Sequence, residues 1–269
     1  QWSKNGDEIH WALGPTLFTA KRSALFANAP AVQGSKPEKF EPPKTGVSLS
    51  MAVDMDRPTS SVALVGARIV SMADARGGLI DDGVILIERD RIKAIGKRSD
   101  IRIPAGIPTV DVAGKTIMPG LVDAHAHGPY GIDELTPQQN WADMVNLAMG
   151  VTTRHDPSSS AASVFPALEM ERAGMIVGPR TFSTGEIIYG AKAAEVYAQI
   201  DSLDDARAHV RRLKAQGAHS IKNYNQPRRE QRQQVVAATI EENMRSVAEG
   251  GSLFGFDMTL VADGNTTLE

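Results

Sequence analysis

The sequence of 269 residues contains no cysteine. Disulfides, thiolate nucleophiles and cysteine-based metal sites are therefore excluded together. Any metal must be held by histidine, carboxylate or a modified lysine. The absence does not fix a compartment, because exported and cytosolic chains can both lack cysteine. Neither sign of charge dominates: 29 Lys and Arg stand against 32 Asp and Glu, a net charge of −3. That balance gives no electrostatic reason to bind nucleic acid or an anionic membrane. No apolar run reaches the roughly 18 residues needed to span a bilayer. The opening Gln1-Trp2-Ser3-Lys4 is neither a start methionine nor a signal peptide, and it reads as part of something longer. No phosphate-cradling glycine loop or nucleophile elbow occurs. What is there is an ordinary globular composition, 42% hydrophobic and 23% charged, enough for one or two domains of about 150 residues each.

The chain divides by its local grammar. Residues 1–20 hold an Asn5-Gly6 turn and a short alternating strand over 8–13, a hairpin signal similar to one strand pair of a β-propeller blade. Residues 21–60 are rich in Pro, Lys, Glu, Gly and Ser and read as a linker, with one strand expected within 47–55. Residues 61–117 hold several short strands separated by turn signals such as Asp82-Gly83, which predicts a small β-sandwich. From 118 to 269 strands alternate with helices, the pattern of a parallel sheet covered by helices. Strands are expected over 117–124, 151–154, 180–183, 220–224 and 246–249, with a sixth beginning at 265. Thr136-Pro137-Gln138-Gln139 predicts a helix start with proline at the first helical position, and Gly150 its end. Ser202 to Asp205 caps another helix, whose Ala206, Val210 and Leu213 fall on one face and which Gly217 ends. The fold class is therefore α/β.

The sharpest chemistry lies in Pro119-Gly120-Leu121-Val122-Asp123-Ala124-His125-Ala126-His127. Alternate residues of a strand face the same way, so Asp123, His125 and His127 share a face. Two imidazoles roughly 6.6 Å apart along a strand can converge on one ion. Barrel active sites sit where the strands end, and these histidines end the first strand.

This stretch resembles the first-strand signature of the amidohydrolase superfamily. The strands before it, Val65-Gly66-Ala67-Arg68-Ile69-Val70, Asp82-Gly83-Val84-Ile85-Leu86-Ile87 and Arg91-Ile92-Lys93-Ala94-Ile95-Gly96, resemble that family's companion β domain. With its propeller-like start the chain is similar to fusions of a TolB-like propeller with an amidohydrolase. The resemblance implies an incomplete (β/α)8 barrel, and hydrolysis of a non-peptide C–N bond in a small amide or cyclic amide by metal-activated water. It implies one or two divalent ions, zinc first, with manganese or iron as alternatives. His125 and His127 match the family's first-strand ligands. Lys222 matches its fourth-strand lysine, which is carboxylated to bridge two metals. Glu249 stands where the fifth-strand histidine belongs, as a ligand or as a loop carboxylate. Asp123, Tyr130 and His155 are expected behind the ligands or against substrate. The sixth-strand histidine is expected directly after Glu269, and the eighth-strand aspartate that moves the proton has no counterpart, so no catalytic residue is assigned and the isolated chain is expected to be inactive or nearly so.

Other readings stay open. One is a prolidase-like dipeptidase; another is a non-enzymatic propeller-associated binding module; a third is a decayed barrel. With open strand edges the chain is expected to form homo-oligomers, aggregate or be completed by the missing strands. Export to the periplasm is implied by the family alone. His209 beside Arg207 and Arg211, and the basic run Arg228-Arg229-Glu230-Gln231-Arg232, read as solvated helix faces. His10 and His219 carry no pattern.

Overall fold

The computed structural model describes residues 1–25, 41–131, 135–191, 198–251 and 253–269. The middle of the expected linker, 26–40, lies outside the described residues. The N-terminal strands β1 (Glu8–Leu13) and β2 (Thr16–Lys21) pair antiparallel around Gly14, and a four-residue helix α1 (Arg22–Leu25) follows. The linker contributes a strand shorter than expected, β3 (Val47–Ser48), which pairs with β2. Gly14 has φ +55, and a Cβ there would come within 2.8 Å of the Ala215 carbonyl oxygen. Glycine therefore lets the hairpin turn seat directly on a helix end of the C-terminal region.

The strands β4 (Ser61–Val70), β5 (Leu79–Glu88), β6 (Arg91–Lys97), β7 (Thr109–Asp111) and β8 (Thr116–Ile117) form one five-stranded sheet, ordered β6-β5-β4-β7 with β8 also on β4. A register shift in β4 falls at Gly66, at φ +90, and a second between Ala67 and Ile69. Ala63 and Val65, before that bulge, bury with Val84 and Leu86. Ala67 and Ile69, after it, bury with Ile85. Alternate residues would otherwise share a face, so the bulge turns one strand into a wall of two apolar clusters.

The remaining elements alternate: β9 (Leu121–Asp123), α2 (Trp141–Ala148), β10 (Val151–Asp156), α3 (Ala161–Arg172), β11 (Arg180–Ser183), α4 (Leu203–Gln216), β12 (Ser220–Asn223), α5 (Arg229–Glu241), β13 (Arg245–Ala248), α6 (Phe254–Ala262) and β14 (Thr267–Leu268). All pairings among these strands are parallel, in the orders β11-β10-β9 and β12-β13-β14. The two triplets meet where the His219 N–H donates to the Ser183 carbonyl at 3.0 Å and Ile188 bridges Asn223. Ala206, Val210 and Leu213 of α4 are fully buried with Val164, Ile221 and Val235, as the spacing of apolar residues requires. Ser202 caps α4 by accepting from the Asp205 N–H, and Gly217 ends it at φ +112.

Two element readings are corrected. The helix after the histidines starts at Trp141, not at Thr136: Asn140 is its N-cap, accepting from the Ala142 N–H while its own amide donates to the Pro129 carbonyl at 2.6 Å. That second bond ties the cap to the loop after His127, a tertiary contact that local sequence does not show. The basic run is a solvated face only in part: Arg228, Arg229 and Glu230 are exposed, whereas Gln231 and Arg232 are buried and Arg232 pairs with Asp263, where Arg229 also binds. No helix among the described residues is long and apolar enough to cross a membrane.

Candidate functional site

The C-terminal ends of the parallel strands carry the site. Gly120 opens the first of them because a Cβ there would collide with the Thr152 side chain on β10. β9 can therefore lie close against its neighbour before the chain turns out into the histidines. Asp123 Oδ1 accepts from the His125 N–H at 3.1 Å and shapes that turn. The His125 and His127 rings stand edge to face, with centroids 5.1 Å apart. Thus the sequence-derived pair is together, at the rim.

Lys222 lies on the inner face of β12 and is 1% exposed. Its ammonium meets Glu249 Oε2 at 2.7 Å and also contacts Glu269. Burial lowers the Lys222 pKa, and the Glu249 hydrogen bond and charge push back against it. Glu269 Oε2 in turn lies 3.6 Å from His125 Nε2, and its Oε1 is buried without a hydrogen-bond partner. The structure therefore brings four groups from four strand ends into one chain of contacts: His125, Glu269, Lys222 and Glu249. Glu269 escaped the sequence reading. Like Glu249, it is a carboxylate just past a strand end.

His127 belongs to a neighbouring pair. Its Nδ1 lies 3.4 Å from Oδ1 of Asp156, the fully buried last residue of β10. Sequence reasoning passed over Asp156, although it too sits at a strand end. Tyr130 does not line an opening. It is buried beneath the Arg154 guanidinium, 5.0 Å from the ring centre, and burial, with the Asp156 charge, raises its pKa. Arg154 is held by Asp143 of α2 at 2.5 Å and donates to Thr181 Oγ1 at 2.8 Å. This knot fastens α2, β10, β11 and the loop after His127 to one another.

His155 points the other way, into the concave side. Its Nε2 and Ser220 Oγ are 2.7 Å apart, and its ring also bonds the Ala124 backbone. Burial is the main reason its pKa is lowered. It borders a largely apolar cavity of about 530 Å³ that runs from His125 and Glu269 down to Arg245 and Thr267. Arg245 begins β13 and Thr267 begins β14, so this cavity is the inside of the strand array rather than its mouth. His219 packs edge-on against Phe182, with Arg172 Nη2 3.2 Å from its Nε2. His209 Nε2 lies 3.2 Å from the Gln199 carbonyl on the outer surface, and His10 Nδ1 lies 2.8 Å from Thr19 in the hairpin. Neither is near the site.

The donor set suits a hard or borderline divalent cation, having imidazole nitrogens and carboxylate oxygens. Among the described residues, however, no three His, Asp or Glu side chains gather as closely as an ion would demand. The physical reason is visible: the Lys222 ammonium sits between the carboxylates and supplies the positive charge itself. The buried, unpartnered Glu269 Oε1 leaves one acceptor over. In donor chemistry the residues fit a metal.

No family model matches the chain. It is 40% identical over 70 residues to the imidazolonepropionase of Bradyrhizobium sp., a match covering 25% of this chain and 17% of that one. It is 31% identical over 109 residues to the enamidase of Eubacterium barkeri, covering 40% of this chain and 27% of that one. Its fold superposes on a Xaa-Pro dipeptidase with a TM-score of 0.64 at 18% identity, covering 78% of this chain and 61% of that one. The chain thus spans less than a third of the two curated relatives and about three fifths of the dipeptidase.

Proposed function

We propose, on the premise that this chain groups with the amidohydrolase superfamily in both sequence and fold, that it forms part of a metal-dependent hydrolase of carbon–nitrogen bonds. On this reading the six parallel strands are the front of a (β/α)8 barrel, the five-stranded sheet belongs to the companion β domain, and the N-terminal hairpin is a propeller remnant. The observation that carries the function is the gathering of His125, Lys222, Glu249 and Glu269 at the ends of four strands.

His125 and His127 would hold a divalent ion, zinc first, with Glu249 and Glu269 as the available carboxylates. When bound, the ion supplies an activated water and polarises the scissile carbonyl. The chain's own residues shape and hold the site. Asp123 fixes the turn that presents His125. His155 bonds the backbone at Ala124 and meets Ser220, and so joins the first, second and fourth strands below the ligands. The carboxylates of Glu249 and Glu269 counter the charge of Lys222. We favour a small non-peptide amide as substrate, because the segment matches are to an imidazolonepropionase and an enamidase. A dipeptide of the kind named for the fold neighbour is the runner-up.

Elemental analysis of the purified chain tests the reading. At least one divalent ion per chain, lost in the His125→Ala/His127→Ala variant, is the expected result. A wild-type chain that takes up neither zinc nor manganese would overturn it.

A further inference from the structure

We propose that Asp156 is the positioning residue of His127: it receives the Nδ1 proton in a hydrogen bond, fixes the ring's tautomer and leaves Nε2 turned toward the site. The inference rests on the metal-site reading above, and its test separates the two.

The second strand ends in His155 and Asp156, and their side chains leave it on opposite sides. His155 enters the concave side, where it meets Ser220. Asp156 shares the side of Arg154, toward the loop that carries His127, Gly128 and Tyr130. The Asp156 carboxylate is fully buried and already immobilised. Its Oδ1 accepts from the Ser158 N–H at 2.9 Å, and its Oδ2 accepts from the Ser159 hydroxyl at 2.8 Å. A buried carboxylate is costly without a compensating partner. The nearby guanidinium of Arg154 is engaged by Asp143. Among the described ion pairs the basic group facing Asp156 is His127, with Nδ1 3.4 Å from Oδ1.

His127 needs such a partner. Its side chain is 54% exposed, and an exposed imidazole turns freely unless something holds one nitrogen. A histidine that binds metal through one nitrogen commonly gives its other N–H to a carboxylate, which sets ring orientation and tautomer. Here the carboxylate sits on the Nδ1 side and is held by Ser158 and Ser159. Gly128 allows this fold-back, because a Cβ there would lie 3.3 Å from the Tyr130 ring.

Nitrogen-15 NMR of the metal-free chain reads the tautomer directly. It is recorded at about pH 8, above the ordinary histidine range near 6.5, and His127→Gln assigns the resonances. Expected is the Nδ1–H form at His127 in the wild type, against the Nε2–H form that a free histidine side chain prefers. Asp156→Asn is expected to move His127 toward Nε2–H and to weaken zinc binding, measured by calorimetry, by about 10- to 100-fold. An Nε2–H tautomer in the wild type overturns the proposal, as do an unchanged tautomer and affinity in Asp156→Asn. If that variant does not fold, the wild-type tautomer decides. If the wild type binds no zinc, the metal reading fails, and the tautomer still decides the role of Asp156.

Discussion

An ammonium group buried as deeply as that of Lys222 persists in a fold only with anionic company, and Glu249 and Glu269 provide it. Removing the cation strands both carboxylates. Lys222→Met is therefore expected to lower stability by about 3–5 kcal/mol, the usual cost of breaking a buried ion pair from one side. Adding Glu249→Gln and Glu269→Gln to that variant should restore most of the loss. Urea unfolding of the single and triple variants checks both statements, and an unchanged midpoint in Lys222→Met would contradict the geometry. Some of this cluster was legible in the sequence. His125 and His127 announce themselves through spacing on a strand, and Lys222 and Glu249 through the match to the ligand positions of the family the chain resembles. Asp156 and Glu269 did not, because what makes them notable is contact with residues remote in sequence: Glu269 meets a lysine 47 positions away.

Between neighbouring elements the charge clamps show what helix patterning leaves out. Asp263, the C-cap of α6, receives Arg229, Arg232 and Gln233 from α5. Burial pushes its carboxyl up, but these hydrogen bonds outweigh burial and hold it at about 2. A carboxyl whose folded pKa lies below its ordinary 3.8 stabilises the fold above that value and loses the contribution as pH falls through the folded pKa. Asp263→Asn should thus melt below the wild type at neutral pH, with the difference shrinking between pH values of about 4 and 2. Melting curves across that range check it, and a gap that does not change with pH would count against the clamp. The sequence displayed β11 and α4 fully, since turn residues and caps bracket them. It hid α6. That helix is apolar almost all round, with Phe254, Phe256, Met258, Leu260 and Val261 in nine residues, and its N-cap Leu253 has no side-chain cap bond. With neither period nor cap, nothing marks it before tertiary contacts form.

At the scale of the molecule the two ends of the strand array are its weak places. β9 pairs with β10 alone and β14 with β13 alone among the described residues. The first edge exposes Met118, Leu121 and Val122, and the helices beside the edges expose Trp141, Met149, Phe254 and Met258. Unpaired strands flanked by apolar surface are templates for association. The chain is expected to self-associate with rising concentration, read by light scattering after size exclusion, and Val122→Lys should reduce the effect. A monomer at all concentrations would show that these edges are quiet in solution. Alternation of strand and helix displayed this α/β layout in the sequence, whereas the Gly66 bulge that divides the five-stranded sheet between two clusters depends on backbone geometry that patterning does not carry.

The position of Glu269 has a consequence in time. Synthesis runs from the N-terminus, so β12 is complete while its last counter-charge has yet to be made. Glu249 arrives first, with β13, and Glu269 only after β14. Until then the Lys222 ammonium has Glu249 and water for company. Contacts between remote segments form slowly because a long loop must close first. Within the described residues, the Lys222 ammonium therefore gains its second carboxylate only when β14 docks against β13.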